Sequence, residues 1–125
     1  MPTKQKTKKI LIFDNDKSIK SILEFILTQH SFNVSLYNNE DIYDILNEQQ
    51  PHLILLDENI EEDVTSTIFS TIDLYFPKIP ILKMIGKKIS IETLNYSSNY
   101  VLGYIYKPLD AEEVLKITKQ VLNKA

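Results

Sequence analysis

The sequence predicts an α/β fold in which β-strands and α-helices alternate along the chain as a (βα)5 unit. Five short segments rich in Ile, Leu, Val, Phe and Tyr are separated by segments whose apolar residues repeat at helical spacing. The first, third and fourth short segments are continuous apolar runs, a pattern typical of parallel strands covered on both faces. Right-handed crossovers wind such a unit into a doubly wound five-stranded parallel sheet with its loops at the carboxyl edge.

The predicted strands are short, and a helical pattern follows each of them. The strands are expected at residues 9–13, 32–37, 52–56, 80–85 and 101–106. The apolar residues at helical spacing are Ile19, Ile22, Leu23, Ile26 and Leu27 in the first helix, Ile42, Ile45 and Leu46 in the second, Val64, Ile68 and Ile72 in the third, and Val114, Ile117, Val121 and Leu122 in the last. The order is typical of a flavodoxin-like sheet.

Polar residues that favour helix N-termini precede these patterns. Asp16 precedes the first helix, Asn38 the second, and Ser90 a predicted fourth helix. Asp110 and Glu113 form a capping-box pattern for the last helix. The third helix is expected at 64–75, stopped by the proline at position 77.

The composition is that of one globular domain. Hydrophobic residues make up 43% and charged residues 25% of the 125 residues, which argues against disorder. The net charge of −3 gives no basic footprint for nucleic acid, and the longest apolar runs are far too short to span a membrane. We expect a cytoplasmic domain at residues 8–125, preceded by a basic N-terminal tail at residues 1–7.

Two residue types are missing, and each absence excludes a kind of site. The chain has no cysteine, which excludes disulfides, thiolate metal sites and cysteine nucleophiles. All 14 basic residues are lysine, so no arginine can bind phosphate through a bidentate fork. Phosphate must therefore be bound by lysine, by backbone amides or by a metal.

Three charged residues stand at the ends of predicted strands. Asp14 follows the first strand, Asp57 follows the third, and Lys107 with Pro108 follows the fifth. Open α/β sheets bind their ligands beyond the carboxyl ends of the strands, so we expect these side chains to converge there. Two carboxylates and an ammonium at that edge can hold a metal and a phosphoryl group.

The three strand ends read FDND, LLDEN and YIYKPLD, and in this order they resemble the receiver domain of two-component response regulators. The resemblance runs from Lys8 to Ala125 and implies a signalling domain that is not an enzyme. It implies that Asp57 accepts a phosphoryl group from a histidine kinase or a phosphotransfer protein. Lys107 would pair with Asp57 and then with the phosphoryl oxygens, and its bond to Pro108 would be cis.

The same resemblance implies a metal site and an aromatic switch. Mg²⁺ would be held by Asp14, Asn15, Asp57 and the main-chain carbonyl of Asn59. Tyr104 falls on the aromatic position that turns inward in activated receivers, although an ordinary strand aromatic explains this residue equally well.

Asn15 departs from the family pattern, which has a second acidic residue that binds Mg²⁺ directly. Mg²⁺ is held mainly by carboxylates and water, so a neutral amide oxygen is a poorer ligand. A unit charge is worth about 4 kcal/mol on a partner about 4 Å away at an effective dielectric of about 20, so we expect only weak Mg²⁺ binding. Asp16 could substitute, but a helix N-cap explains Asp16 better.

The end of the fourth strand also departs from the pattern. Ile85 stands where the family has a threonine or serine hydroxyl, and Gly86 where a small residue leaves room for the phosphoryl group. A hydrogen bond to a charged group is worth roughly 1.5–3 kcal/mol, and isoleucine cannot make one. Phosphorylation would then lack the differential contact that biases a switch.

The segment DENIEED, which begins with Asp57 after the third strand, is rich in acidic residues. The acidic residues that follow Asp57 are best explained as a solvated loop.

We therefore predict a receiver with a degenerate phosphorylation site that is weakly or not phosphorylated and acts through protein–protein interaction. With one carboxylate fewer, Asp14, Asp57 and Lys107 come closer to charge balance, and Lys107 can pair with Asp57 permanently. The expected contact surface for a downstream protein or a second copy is the face of the fourth helix, fifth strand and fifth helix. Its tyrosines are Tyr96, Tyr100, Tyr104 and Tyr106.

Two alternative functions assign different roles to the aspartates. The first is a conventional phospho-switch receiver in which a histidine kinase phosphorylates Asp57. The second is a phosphatase of the haloacid-dehalogenase-like class, because DNDKS fits its Asp-x-Asp-x-Ser/Thr start, with Asp14 as nucleophile and Asp16 as acid. A flavin-binding flavodoxin is disfavoured, because the loop after the first strand lacks a hydroxyl-rich phosphate cradle.

Overall fold

The computed structural model describes residues 7–86 and 100–124, and within them five strands form one parallel sheet. The strands are β1 (Lys9–Phe13), β2 (Asn33–Leu36), β3 (Leu53–Asp57), β4 (Ile81–Ile85) and β5 (Val101–Tyr106). Their order is β2-β1-β3-β4-β5, and every neighbouring pair is parallel. The predicted doubly wound, flavodoxin-like sheet is confirmed.

Four helices are described, and they alternate with the strands as predicted. They are α1 (Lys17–Gln29), α2 (Ile42–Gln49), α3 (Glu62–Tyr75) and α4 (Ala111–Lys124). The predicted fourth helix, with Ser90 and Tyr96, lies outside the described residues, as does the predicted tail apart from Thr7. None of the described helices combines the length and the apolar character needed to cross a membrane.

Both faces of the sheet are covered, which explains why the strands read as continuous apolar runs. In β1, Leu11 and Phe13 belong to a core cluster with residues of α2 and α3. Ile10 and Ile12 belong to a second cluster, on the opposite face, with residues of α1 and α4. All four β1 side chains are at most 1% exposed, so the sheet is a rigid support for the loops at its carboxyl edge.

Two helix starts differ from the prediction. The N-cap of α2 is Asp41 and not Asn38, because the Asp41 carboxylate accepts the backbone N–H of Asp44 at 3.0 Å. Asn39 lies in the left-handed region with a φ of 61°, so the chain cannot continue as a helix from Asn38. Helix α3 begins at Glu62, before the predicted start at residue 64, and has no side-chain cap.

The other two described caps are confirmed. The Asp16 carboxylate accepts the backbone N–H groups of Ser18 at 2.8 Å and Ile19 at 3.2 Å. At the start of α4, Asp110 accepts the backbone N–H groups of Glu112 at 2.9 Å and Glu113 at 3.2 Å. Each cap satisfies helix donors that would otherwise lack a partner and is worth about 1 kcal/mol. Both helices therefore start at fixed positions beside the carboxyl edge of the sheet.

Candidate functional site

The three charged residues that were predicted to converge form one ion cluster at the carboxyl edge of the sheet. The ammonium Nζ of Lys107 lies 2.6 Å from Asp57 Oδ1 and 3.2 Å from Asp14 Oδ2. Both aspartates are buried, with 5% of Asp14 and 4% of Asp57 exposed. We call Asp14, Asp57 and Lys107 the ion cluster.

The backbone of the strands places these side chains. Asp57 is the last residue of β3, and Asp14 directly follows β1, which pairs with β3 in register from Ile10 and Leu53 onwards. Lys107 follows β5, and its backbone N–H donates to the carbonyl of Ile85 at 2.8 Å. The lysine side chain therefore extends from the end of β5 past the end of β4 to reach the acids on β3 and β1. The Lys107–Pro108 peptide bond is cis, as expected.

The two carboxylate oxygens of the ion cluster that do not face Lys107 each accept a backbone hydrogen bond. Asp57 Oδ2 accepts the N–H of Asn59 at 3.0 Å, and Asp14 Oδ1 accepts the N–H of Asp16 at 2.8 Å. Asp57 Oδ1 is buried, and Lys107 Nζ, 2.6 Å away, is the charged group that faces it. The short distance makes this contact an ion pair, so the ammonium is the group that compensates this oxygen.

The charge state of Lys107 follows from two opposed effects. Burial lowers its pKa, whereas the hydrogen bonds to Asp57 and Asp14 and the negative charges of both acids raise it. The second set of effects prevails, and the pKa of Lys107 is raised above its usual value of 10.5. The lysine is therefore charged at neutral pH, and it neutralises one of the two carboxylates beside it.

The side chains assigned to Mg²⁺ are engaged with other groups of the protein. The Asp14 and Asp57 carboxylates are already paired with Lys107, and the Asp16 carboxylate caps α1 and does not substitute for the missing acid. Asn15 is exposed, and its Nδ2 donates to Glu61 Oε1 at 3.2 Å. Among residues 7–86 and 100–124, no group of three His, Cys, Asp or Glu side chains is arranged to hold a metal ion. A Mg²⁺ ion at this place would compete with Lys107 for both carboxylates.

The end of β4 contributes no hydroxyl to the site. Ile85 is the last residue of β4 and is fully buried. The next residue, Gly86, donates its backbone N–H to Glu58 Oε2 at 3.0 Å. The amide that follows β4 is therefore bound by a carboxylate from the loop that follows Asp57.

The acidic loop after β3 is the part of the site that sequence reasoning missed. Glu58 and Glu61 are exposed, as expected for a solvated loop, but each carboxylate accepts a hydrogen bond from another strand end. Glu58 accepts from Gly86, 28 residues away in sequence, and Glu61 accepts from Asn15, 46 residues away. Only the predicted convergence of the strand ends could have suggested these contacts.

A cleft of about 350 Å³ opens beside Asp14, between the loops after β1, β2 and β3. Asn15, Tyr37 and Glu61 are among its lining residues, whereas Asp57 is not. Burial, followed by the nearby charges of three acidic side chains, raises the pKa of Tyr37, so the phenol stays neutral in this acidic cleft. The cleft therefore leads to Asp14 and the altered position 15, while Asp57 stays covered.

The tyrosines predicted to form a contact surface have different environments. Tyr104 is half-buried in β5, in register with Lys83 of β4. The Tyr100 hydroxyl donates to the Asp73 carboxylate on α3, and this hydrogen bond, with a smaller contribution from burial, raises the pKa of Tyr100. Tyr106 is 43% exposed, and it lies on β5 with Leu102, which is 41% exposed. Tyr106 is thus the clearest surface aromatic of this group.

Comparison with known proteins identifies a family. The model of the response regulator receiver domain matches residues 10–119 of the chain. Chemotaxis protein CheY4 of Vibrio cholerae is similar in structure, with a TM-score of 0.80 at 18% identity, and the match covers 93% of this chain and 99% of CheY4. A CheY-like receiver domain protein of Methanospirillum hungatei JF-1 has a TM-score of 0.75 at 23% identity, covering 93% of this chain and 94% of that protein.

One similar structure belongs to a much longer protein. NtrX of Brucella abortus, solved in complex with ADP, has a TM-score of 0.80 at 17% identity. The match covers 95% of this chain, which spans only 27% of NtrX. These three structural likenesses support the fold, and the family match identifies what kind of domain has that fold.

Proposed function

The chain belongs to the response regulator receiver domain family, and we propose that its phosphorylation site is degenerate and that it acts mainly through protein–protein contacts. The observation that carries this proposal is Asn15, a neutral amide bound to Glu61 Oε1 at 3.2 Å where the family has an acid, while Lys107 bridges Asp57 and Asp14 at 2.6 Å and 3.2 Å. With Asn15 in place of a third acid, one lysine leaves a single net negative charge, and the need for a divalent cation is small. The acceptor is then held in its ion pair.

Phosphorylation of Asp57 would require this ion pair to open. In transfer from acetyl phosphate, an Asp57 carboxylate oxygen bonds to phosphorus while the bond from phosphorus to the acetate oxygen breaks, and acetate leaves with the electron pair. Asp57 Oδ1 is buried against Lys107, so it is not free to attack. After transfer, Ile85 offers no hydroxyl to the phosphoryl group, so we propose that the modification is slow and changes the conformation little.

We propose weak Mg²⁺ binding at Asp14, Asn15, Asp57 and the main-chain carbonyl of Asn59. When bound, the ion would neutralise charge on the phosphoryl oxygens. The support is the chemistry of the donor set, which offers two paired carboxylates and a neutral amide where hard cations favour free carboxylates. A histidine kinase or a phosphotransfer protein would be a partner only to the extent that transfer takes place.

For the contact surface, we propose the face that includes β5 and α4. Leu102 and Tyr106 are exposed on β5, and tyrosine is enriched where interfaces have their strongest contacts. Tyr104 would act there as the aromatic switch only if it changes its half-buried position. The partner on this face would be a downstream cytoplasmic protein or a second copy of the chain, and we propose no direct contact with nucleic acid or membrane.

The alternative is a conventional phospho-switch, and one observation favours it. Asp57, Lys107 and Asp14 lie together as the family resemblance implies, so the acceptor and its lysine are both present. The phosphatase hypothesis has no such support, because the Asp16 carboxylate that would serve as its acid caps α1 instead. We propose that the chain is not an enzyme.

Incubation with acetyl phosphate and Mg²⁺, followed by intact mass measurement, separates the two leading proposals. We expect an adduct on only a small fraction of molecules and none in the Asp57→Ala variant. A stoichiometric adduct that disappears in Asp57→Ala would contradict the degenerate-site proposal. A change in partner affinity when the adduct forms would establish the phospho-switch in its place.

A further inference from the structure

The backbone N–H of Gly86 has an unusual acceptor. Along β4, hydrogen bonds to β3 involve every second residue, and the register pairs Leu56 with Lys83 and Asp57 with Met84. The Glu58 N–H continues this ladder by donating to the Met84 carbonyl at 2.9 Å. The next donor in the ladder is the Gly86 N–H, which is bound by the side chain of Glu58 through Oε2 at 3.0 Å. A carboxylate therefore occupies the last position of the β3–β4 ladder.

This amide stands at the acceptor site. Glu58 directly follows Asp57, and Ile85, which directly precedes Gly86, accepts the backbone N–H of Lys107 at 2.8 Å. Gly86 thus lies beside residues that adjoin Asp57 and Lys107, the two members of the closest ion pair in the site. No Cβ stands over this amide, and a Cβ built on Gly86 would meet Glu58 Oε1 at 3.9 Å. The carboxylate, and not a side chain of residue 86, fills the space above it.

On the basis of the degenerate site proposed above, we propose that Glu58 is a tethered anion. Its carboxylate binds the backbone N–H donor at the end of β4 and excludes a phosphoryl group from it. A phosphoryl group on Asp57 is also an anion that needs N–H donors, and with no arginine in the chain the backbone amides matter more. Because Glu58 is covalently adjacent to Asp57, its effective concentration at the amide is high. The phosphoryl group must both displace this carboxylate and tolerate its charge nearby.

Glu58 would disfavour the phosphorylated state in three ways. It removes a donor that would stabilise the phosphorylated state, and it places a negative charge beside the incoming phosphodianion. It also joins the loop after β3 to the end of β4 in the unmodified protein, so these two segments already have the connection that a bound phosphoryl group would otherwise supply. Glu58 thus favours the unmodified arrangement of the site over the phosphorylated one.

The first test is whether the contact exists in solution. The chain has only 2 glycines, so labelling with ¹⁵N-glycine yields two backbone amide signals, and Gly86→Ala identifies the Gly86 signal by removing it. We expect the Gly86 amide to exchange slowly with solvent, and Glu58→Ala to shift its signal and speed its exchange by roughly tenfold. Glu62→Ala, which removes the same charge from an exposed position on α3, should leave the signal unchanged.

The second test is the rate of adduct formation with acetyl phosphate and Mg²⁺, followed by intact mass. We expect Glu58→Ala to form the adduct roughly tenfold faster than the wild-type chain, and Glu62→Ala to match the wild type. Equal adduct rates in the two variants, including no adduct in either, would overturn the proposed role of Glu58. A Gly86 signal that is unmoved by Glu58→Ala, or that exchanges freely in the wild type, would overturn the contact itself.

These outcomes are separate from the fate of the proposed function. Full adduct in the wild-type chain would contradict the degenerate site without reference to the Gly86 signal. A moved Gly86 signal together with a faster adduct in Glu58→Ala supports the tethered anion, even where the wild-type adduct is larger than expected. Failure of the two proposals is therefore recognised by different measurements.

Discussion

Two parts of the site differ in what satisfies their polar groups. Within the ion cluster, Lys107 joins Asp57 and Asp14, and two backbone N–H groups bind the outer carboxylate oxygens. At the flanking positions, carboxylates of the acidic loop take the available donors, with Glu61 accepting from Asn15 and Glu58 from Gly86.

On our proposal of a degenerate site, this difference explains how Asp57 can be present while its response to phosphorylation is weak. In the ion cluster, Lys107 offsets one of the two negative charges, so on our proposal the cluster depends less on a metal to hold its acids together. The flanking positions, which should bind the metal and the phosphoryl group, are neutral or already engaged. Changes to the flanking positions should therefore alter ligand binding, whereas changes to the ion cluster should alter stability.

The largest expected effect comes from restoring the flanking positions. The double variant Asn15→Asp and Ile85→Thr adds a carboxylate worth up to about 4 kcal/mol to a cation roughly 4 Å away, so Mg²⁺ affinity should rise at least tenfold. Amide shifts in an NMR titration measure this affinity, and the adduct yield with acetyl phosphate should rise with it. Asn47→Asp, the same change at an exposed position on α2, is the control. An unchanged titration in the double variant would count against the placement of residues 15 and 85.

Removing the cation from the ion cluster should cost stability. Lys107→Met leaves two buried carboxylates without their partner, which costs about 3–5 kcal/mol for a fully buried pair. Because the Lys107 side chain is 23% exposed, we expect a loss of about 2–3 kcal/mol in the free energy of unfolding, measured with urea at neutral pH. Lys116→Met, at an exposed position on α4, should change little. If Lys107→Met lost as little free energy of unfolding as Lys116→Met, the ion cluster would not stabilise the protein.

The pH dependence of the stability difference between wild type and Lys107→Met tests whether Lys107 acts as a charged bridge. The pKa of Lys107 is higher in the folded protein than its usual 10.5, so the folded state holds this proton more tightly. The stabilisation is then fully present below the unfolded-state pKa and is lost as the pH rises through the folded-state pKa. The stability difference between wild type and Lys107→Met should stay constant from neutral pH to about pH 10 and shrink above that. A difference that vanishes by about pH 9 would contradict a charged bridge.

Gly86 and Gly103 allow the packing at the edge of the site to be compared with the packing of the core. A Cβ on Gly103 would lie 2.9 Å from Leu82 Cδ2 and 3.5 Å from Val121 Cγ2, both in the core between β5 and α4. Gly103→Ala should therefore cost about 1–3 kcal/mol in thermal or urea unfolding. Among the described residues, a Cβ on Gly86 meets nothing closer than 3.9 Å, so Gly86→Ala should cost no more than about 0.5 kcal/mol. Equal losses would mean that the site edge is packed as tightly as the core.

The fold and the ion cluster could be predicted because both follow from periodic patterns. Continuous apolar runs indicate buried parallel strands, and parallel strands bring their carboxyl ends to one edge, so Asp14, Asp57 and Lys107 had to approach one another. The Asp16 and Asp110 caps were equally readable, because a side chain two or three residues before its donors is a local signal.

The remaining features depend on choices that no local pattern determines. Asn38, Asn39 and Asp41 could each have capped α2, and the left-handed backbone of Asn39 decided in favour of Asp41. The contacts of Glu58 and Glu61 join residues far apart in sequence through flexible side chains. Such contacts arise only once the strand ends are in place, so the acidic loop looked merely solvated.

A titration of the wild-type protein with Mg²⁺, followed through the backbone amides of Asp16 and Asn59, tests the central claim most directly. These amides donate to the two acids of the ion cluster, so a cation bound there must disturb them. If the pairing of both acids with Lys107 replaces a metal, their NMR signals will stay in place through the millimolar range of Mg²⁺. A saturable shift of both signals in that range would contradict the claim and indicate a working metal site.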